Sequence, residues 1–129
     1  MTLPDKEPAS PLTRYREYLA QGQLAYQVDT ATGQAVFFPR LVAPHTGNAL
    51  AWKVSSGHGT VYATTTISPR DAAPYNIVLV DMDEGYRLMS RVESVDPAQV
   101  RIGMRVQARI YHPGGDADPY PVFNPLEAP

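Results

Sequence analysis

The 129-residue sequence contains no cysteine. Disulfides, thiolate metal sites and a cysteine nucleophile are thereby excluded, while the redox compartment stays open on that ground. Nor is there an apolar run long enough to span a bilayer, and the opening "MTLPDKEPASP" lacks the basic start and apolar stretch of a signal peptide. A soluble, cytoplasmic protein is the expectation. There is no excess of one charge: 11 basic and 13 acidic side chains leave a net charge of −2 with histidine neutral. No overall field draws such a chain to nucleic acid or anionic lipid, so any basic surface must be local. No internal repeat or low-complexity tract is present. The length suits one domain, or one with a small appendage, and is short for an enzyme that builds its own cleft.

What is present begins after a Pro-rich, charged leader, Met1 to Pro11, whose few apolar groups would not repay the entropy of ordering it. Helical periodicity follows over residues 12–25: Leu12, Tyr15, Tyr18 and Leu19 share a face, Ser10 suits the cap, Pro11 the first helical position and Gly22 the stop. From Gly57 the pattern turns to short extended runs. "TVYATTTI" is rich in β-branched residues, and "NIVLVDM" is apolar on both faces, as a strand covered on both sides would be. The turn Asp83-Glu84-Gly85 leads into "YRLMSRV" and predicts a hairpin. "DPAQVRIG" reads as one helical turn ending at glycine. In "MRVQARIY" the alternation directs Met104, Val106, Ala108 and Ile110 inward and Arg105, Gln107, Arg109 and Tyr111 outward. A Gly/Asp/Pro loop and a final "PVF" complete five short strands. These suit a small Greek-key barrel of the OB-fold kind, because closure removes exposed edges.

In this order, the helix, the stretch "VDTATGQAVFFPRLVAPHTG", "SSGHGTVYATTTI", "PYNIVLVDMDEG", "RIGMRVQARI" and "PVFNP" resemble the DUF35 family over Tyr15 to Pro125. The resemblance implies a mostly β chain: an N-terminal helix, a rubredoxin-like ribbon over 26–52, and a five-stranded OB-fold barrel over 53–125 before a short tail, 126–129. The family ribbon carries two Cys-x-x-Cys knuckles. Aligning Gly33, Phe37, Pro39, Arg40, Pro44 and Gly47 with that pattern puts Asp29, Thr32, Ala43 and Thr46 at the four ligand positions. These side chains cannot make a tetrahedral zinc site, so a degenerate, metal-free ribbon is expected. Structural zinc supplies roughly 10–16 kcal/mol in small fingers, and its loss must be offset. Phe37, Phe38, Leu41, Val42, Leu50 and Trp52 are the apolar substitutes at hand.

Chemistry-bearing residues are sparse. His45, His58 and His112 have no nucleophile or second ligand in a motif with them; His58, between Gly57 and Gly59, stands where a ligand or another backbone could approach closely. Asp81, Asp83 and Glu84 read as solvated turn residues, as do Asp116 and Asp118 in their loop. Arg87 and Arg91 share one strand face, Arg105 and Arg109 another, with Arg101 just before it. They could form a phosphate-holding patch or an ordinary outer face balanced by Glu93 and other acids. An OB-fold that binds single-stranded nucleic acid would also need aromatic platforms, for which Tyr62, Tyr86 and Tyr111 are available. The resemblance implies instead a non-catalytic accessory subunit of a thiolase-fold or hot-dog-fold acyl-CoA enzyme. It supports assembly and holds acyl-CoA as a bound substrate of the complex. On that reading Tyr15, Tyr18, Leu19, Phe37, Phe38 and Arg40 face the partner. Trp52, His58, Tyr75, Arg87, Arg91, Arg105 and Arg109 are the acyl-CoA candidates.

Overall fold

The computed structural model describes residues 10–126; residues 1–9, most of the expected leader, and 127–129 of the expected tail lie outside the described residues. The first element is α1 (Pro11–Ala20). The Ser10 hydroxyl accepts from the Thr13 amide at 3.1 Å, and Pro11, which has no N–H to leave unsatisfied, takes the first helical position. At the other end Gly22 adopts φ +81°, and the Gln23 and Gly22 amides return to the Tyr18 and Leu19 carbonyls. The helix therefore stops at Ala20 instead of running to residue 25, and by Ala25 the chain is already a strand.

Three strands form the ribbon sheet, β1 (Ala25–Asp29), β2 (Ala35–Val36) and β3 (Leu50–Val54), in the order β2-β1-β3. A five-stranded sheet follows: β4 (His58–Ile67), β5 (Tyr75–Met82), β6 (Arg87–Ser90), β7 (Arg105–Tyr111) and β8 (Tyr120–Pro125), ordered β6-β5-β4-β7-β8. All neighbours in it are antiparallel, and a single 3-10 turn, Pro97–Gln99, joins the β6 and β7 halves. The sheet closes where Val92 meets Phe123 in a parallel bridge, with the Glu93 amide on the Phe123 carbonyl at 2.7 Å and the Phe123 amide on the Arg91 carbonyl at 2.9 Å. That closure makes the expected five-stranded OB-fold barrel.

Two local features allow the curl. β4 shifts register between Val61 and Ala63, a bulge that bends the strand so that it can pair with both neighbours. Gly59 lies so close to β5 that a Cβ there would stand 2.6 Å from Val80 Cγ1 and 2.9 Å from the Asp81 carbonyl. The small residues around His58 thus admit the protein's own backbone. At the seam, buried Asn76 donates to the Val92 carbonyl at 3.0 Å and accepts from the Val92 amide at 2.9 Å.

The barrel interior is Val61, Val78, Val80, Val106 and Phe123, and Tyr15, Leu19, Leu24 and Tyr26 continue the same core into the helix and ribbon. Tyr86 is stacked between Tyr26 (4.9 Å between centroids) and Phe37 (5.0 Å). Burial pushes the Tyr15 phenol up to about 12 and raises Tyr86 likewise, so both remain neutral. One strand expectation is corrected. β5 buries only Asn76, Val78, Val80 and Met82, while Ile77 and Tyr75 are exposed, because nothing else in the described residues covers the outer face.

Candidate functional site

The ribbon is a frame for the segment 37–42. Gln27, buried on β1, donates to the Arg40 carbonyl at 2.8 Å and accepts from the Arg40 amide at 2.7 Å, which pins the middle of that segment. On its inner side Phe37 and Phe38 meet Tyr15 edge-on at 5.6 and 5.7 Å. Its outer side is apolar and open: Phe38 is 51% exposed, Leu41 81% and Val42 51%. Exposed apolar side chains on a pinned segment make this a candidate contact surface.

Of the six residues expected to face a partner, Tyr15 and Leu19 are corrected to core positions, at 6% and 2% exposure. The amphipathic stripe of the helix packs on its own chain. Phe37 is half-buried against Tyr86, Tyr18 is half-buried against Trp52 at 5.5 Å, and Phe38 and Arg40 keep exposed surface. Leu41 and Val42, expected to help hold the ribbon together, point instead to solvent. The holding falls to Asp29. Its buried carboxylate accepts from the Thr32 amide and the Thr46 hydroxyl, two of the other positions that the resemblance aligns with ligands, and Ala43, the fourth, is buried nearby without a polar side chain. Hydrogen bonds from the Ala31 and Thr32 amides and from Asn48 and Thr46 outweigh desolvation and lower the Asp29 pKa.

The expected acyl-CoA residues do not converge. His58 opens β4, whereas Tyr75 pairs with Ile67 at its far end, roughly 30 Å away at strand rise. The arginines are already engaged. Arg105 grips Asp83 through two bonds at 2.8 and 2.9 Å; Arg87 bonds Asp81 at 2.6 Å with its guanidinium 3.6 Å over the Tyr62 ring. Arg91 and Arg109 share Glu93 at 3.0 and 2.7 Å. The forked bond from Arg105 is the main cause that lowers the Asp83 pKa, against a desolvation cost. Four guanidiniums and three carboxylates form three separate groups, not one basic patch. Of the aromatic platforms, Tyr86 is buried, Tyr62 lies under Arg87, and Tyr111 pairs with Tyr120 at 5.4 Å.

Among the hollows that the described residues form, two lie beside the candidate residues. A cleft of about 380 Å³ lies where Arg40 and residues 43–46 face Gly85, Tyr86 and Arg87. A shallow groove of about 400 Å³ runs over Tyr75, Ile77, Met89, Tyr120 and Pro121. Among the described residues no group of three or more His, Cys, Asp or Glu is placed to hold a metal, and no helix is long and apolar enough to cross a membrane.

Residues 52–111, from β3 to the end of β7, match the family profile described as ChsH2, C-terminal OB-fold domain. Over 59 residues the chain is 41% identical to the 3-oxo-4,17-pregnadiene-20-carboxyl-CoA hydratase alpha subunit of Mycobacterium tuberculosis, a match covering 43% of this chain and 19% of that protein. It is 36% identical over 69 residues to a DUF35 domain-containing scaffold protein of Methanocaldococcus jannaschii, covering 47% and 49% of the two chains. A second DUF35 domain-containing scaffold protein, from Methanothermobacter thermautotrophicus, is 31% identical over 80 residues, covering 56% and 60%. The chain thus spans between a fifth and three fifths of the length of these relatives. Its fold matches a chain of the Ltp2-ChsH2(DUF35) aldolase with a TM-score of 0.80 at 24% identity, covering 95% of this chain and 100% of that one. A DUF35 protein of unknown function from Sulfolobus solfataricus gives a TM-score of 0.61 at 16% identity, over 74% and 75%. These matches agree with the OB-fold barrel of the structure. The chain is an OB-fold protein similar to those of the DUF35 family, and it has no cysteine in its ribbon.

Proposed function

We propose that the protein is a non-catalytic accessory subunit of an acyl-CoA enzyme, of thiolase or hot-dog fold, and that it binds this partner through the tip of its ribbon. The observation that carries the reading is the exposed Phe38, Leu41 and Val42 on a segment pinned at both Arg40 backbone groups by Gln27. A segment fixed before the encounter loses little entropy on docking, so its apolar side chains count toward affinity. The similarity to scaffold proteins, to a subunit of a CoA-thioester hydratase and to a chain of an aldolase supports the same reading. In it the partner supplies the reacting groups. Trp52 and His58 remain the residues offered to acyl-CoA on this side of the barrel, and the four paired arginines reach its phosphates only by giving up an acid.

The test is co-expression of the tagged protein with a thiolase-fold or hot-dog-fold acyl-CoA enzyme from the same genome, followed by gel filtration and a turnover assay. The wild type should co-elute in fixed proportion and turn over acyl-CoA only in the complex. Replacing Phe38, Leu41 and Val42 together by Ser should weaken the complex by at least about 30-fold, the size of one interface hot spot, with only a small drop in Tm from the lost contact of Phe38 with Tyr15. Turnover by the protein alone, or a complex indifferent to that triple change, would sink the reading.

A further inference from the structure

The ribbon's two turns, 29–33 and 43–47, share a form. In the first, the Gly33 amide returns to the Asp29 carbonyl at 2.7 Å with φ +78°; in the second, the Gly47 amide returns to the Ala43 carbonyl at 2.9 Å with φ +72°. One side chain ties them directly, beside the Thr30 amide and hydroxyl of the first turn, which donate to the Ala49 carbonyl just beyond the second at 3.0 and 3.1 Å. Asp29 Oδ1 accepts from the Ala31 and Thr32 amides at 2.8 and 3.2 Å, both inside the first turn. From the second turn and the residue after it, Thr46 Oγ donates to Oδ2 at 3.3 Å, and Asn48 Nδ2 reaches both oxygens, at 3.2 and 3.1 Å.

Every one of these partners is a donor, so the site is built for an ionised acceptor. A carboxylate offers about four lone-pair positions, and five contacts leave none for a cation. The exposed Leu41 and Val42 contribute nothing to joining the turns, and Gln27 ties β1 to Arg40 without touching either turn.

We propose that the Asp29 carboxylate is a metal-independent cross-link that sets the spacing of the two turns, and with it the seat of the segment 37–42 between them. Negative charge does by hydrogen bonding what a bridging ion would do by coordination. This holds whether or not the ribbon tip binds a partner.

Hydrogen exchange followed by mass spectrometry, on the full chain with and without excess EDTA, tests it. In the wild type the amides of both turns should be protected equally in the two conditions. In Asp29→Ala both turns should exchange at least about tenfold faster while β4 to β8 keep their protection, since local opening is independent of the barrel. Asp29→Asn retains an acceptor for the first turn but sets an amide against Asn48 and Thr46, so it should loosen the second turn more than the first. Should Asp29→Ala fail to fold, Asn48→Ala combined with Thr46→Val removes the second-turn partners alone and should speed exchange there. Unchanged second-turn exchange in these variants, or faster wild-type exchange in EDTA, would overturn the proposal.

Discussion

Asn76→Ala tests what closes the barrel. The Asn76 side chain is 1% exposed and makes two bonds to Val92, whose amide and carbonyl lie in the interior beside the parallel bridge to Phe123. Truncation leaves both backbone groups without a partner, at about 1–3 kcal/mol each, so the expected loss is roughly 2–5 kcal/mol after some relaxation. Against a total of about 5–15 kcal/mol that is a large fraction. The urea midpoint should fall with little change in slope, and Tm should drop by roughly 10–20 °C. Asn76→Asp sharpens the test. At neutral pH its carboxylate would face the Val92 carbonyl, acceptor against acceptor, so the folded state favours the protonated form and the folded pKa rises above the ordinary value of about 3.9. The destabilisation is then full above that raised pKa and relieved as pH falls through it, when the acid can donate as the amide did. A loss below about 0.5 kcal/mol in Asn76→Ala would refute the reasoning, because ordinary surface substitutions reach that size. So would a pH profile for Asn76→Asp that matches the parent.

Gly59→Ala should cost about 1–3 kcal/mol in urea unfolding, since the new methyl meets a backbone carbonyl and Val80 that have no room to retreat; a neutral result would mean that β4 and β5 can separate there. Asp29 and Asp83 have folded pKa values below the ordinary carboxylate value, so each contributes stability that is complete above about pH 4 and is lost as pH falls through the folded pKa. Wild-type thermal unfolding should therefore weaken below about pH 4, and Asp83→Asn should flatten that acid limb; a profile unchanged by the substitution would remove Asp83 as a source.

Much of the fold was legible because it rests on local signals. Ser10 and Pro11 start the helix where their chemistry predicts, and the alternation from Met104 to Tyr111 sends each arginine outward. The Arg87–Asp81 pair was also within reach: the two residues stand equally far from Glu84, so a hairpin turning there sets them opposite each other. Other features depend on distant partners. Asn76 and Asp29 look like surface letters until Val92, Thr46 and Asn48, 16 to 19 residues away, are folded against them. Glu93 serves two arginines only once the barrel has closed. The helical stripe of Tyr15 and Leu19 showed that something must cover it, and periodicity carries no information on whether the cover is the same chain or another.

The stack of Tyr26, Tyr86 and Phe37 bears on how such chains can be recombined. Its middle ring comes from the barrel and its outer rings from the ribbon, while the matched OB-fold profile begins at residue 52, beyond both outer rings. A barrel cut free at that boundary would carry Tyr86 with both faces bare. A chimera that borrows a ribbon from a relative must bring two flat side chains at the right spacing, so the pieces that sequence comparison separates are not interchangeable parts.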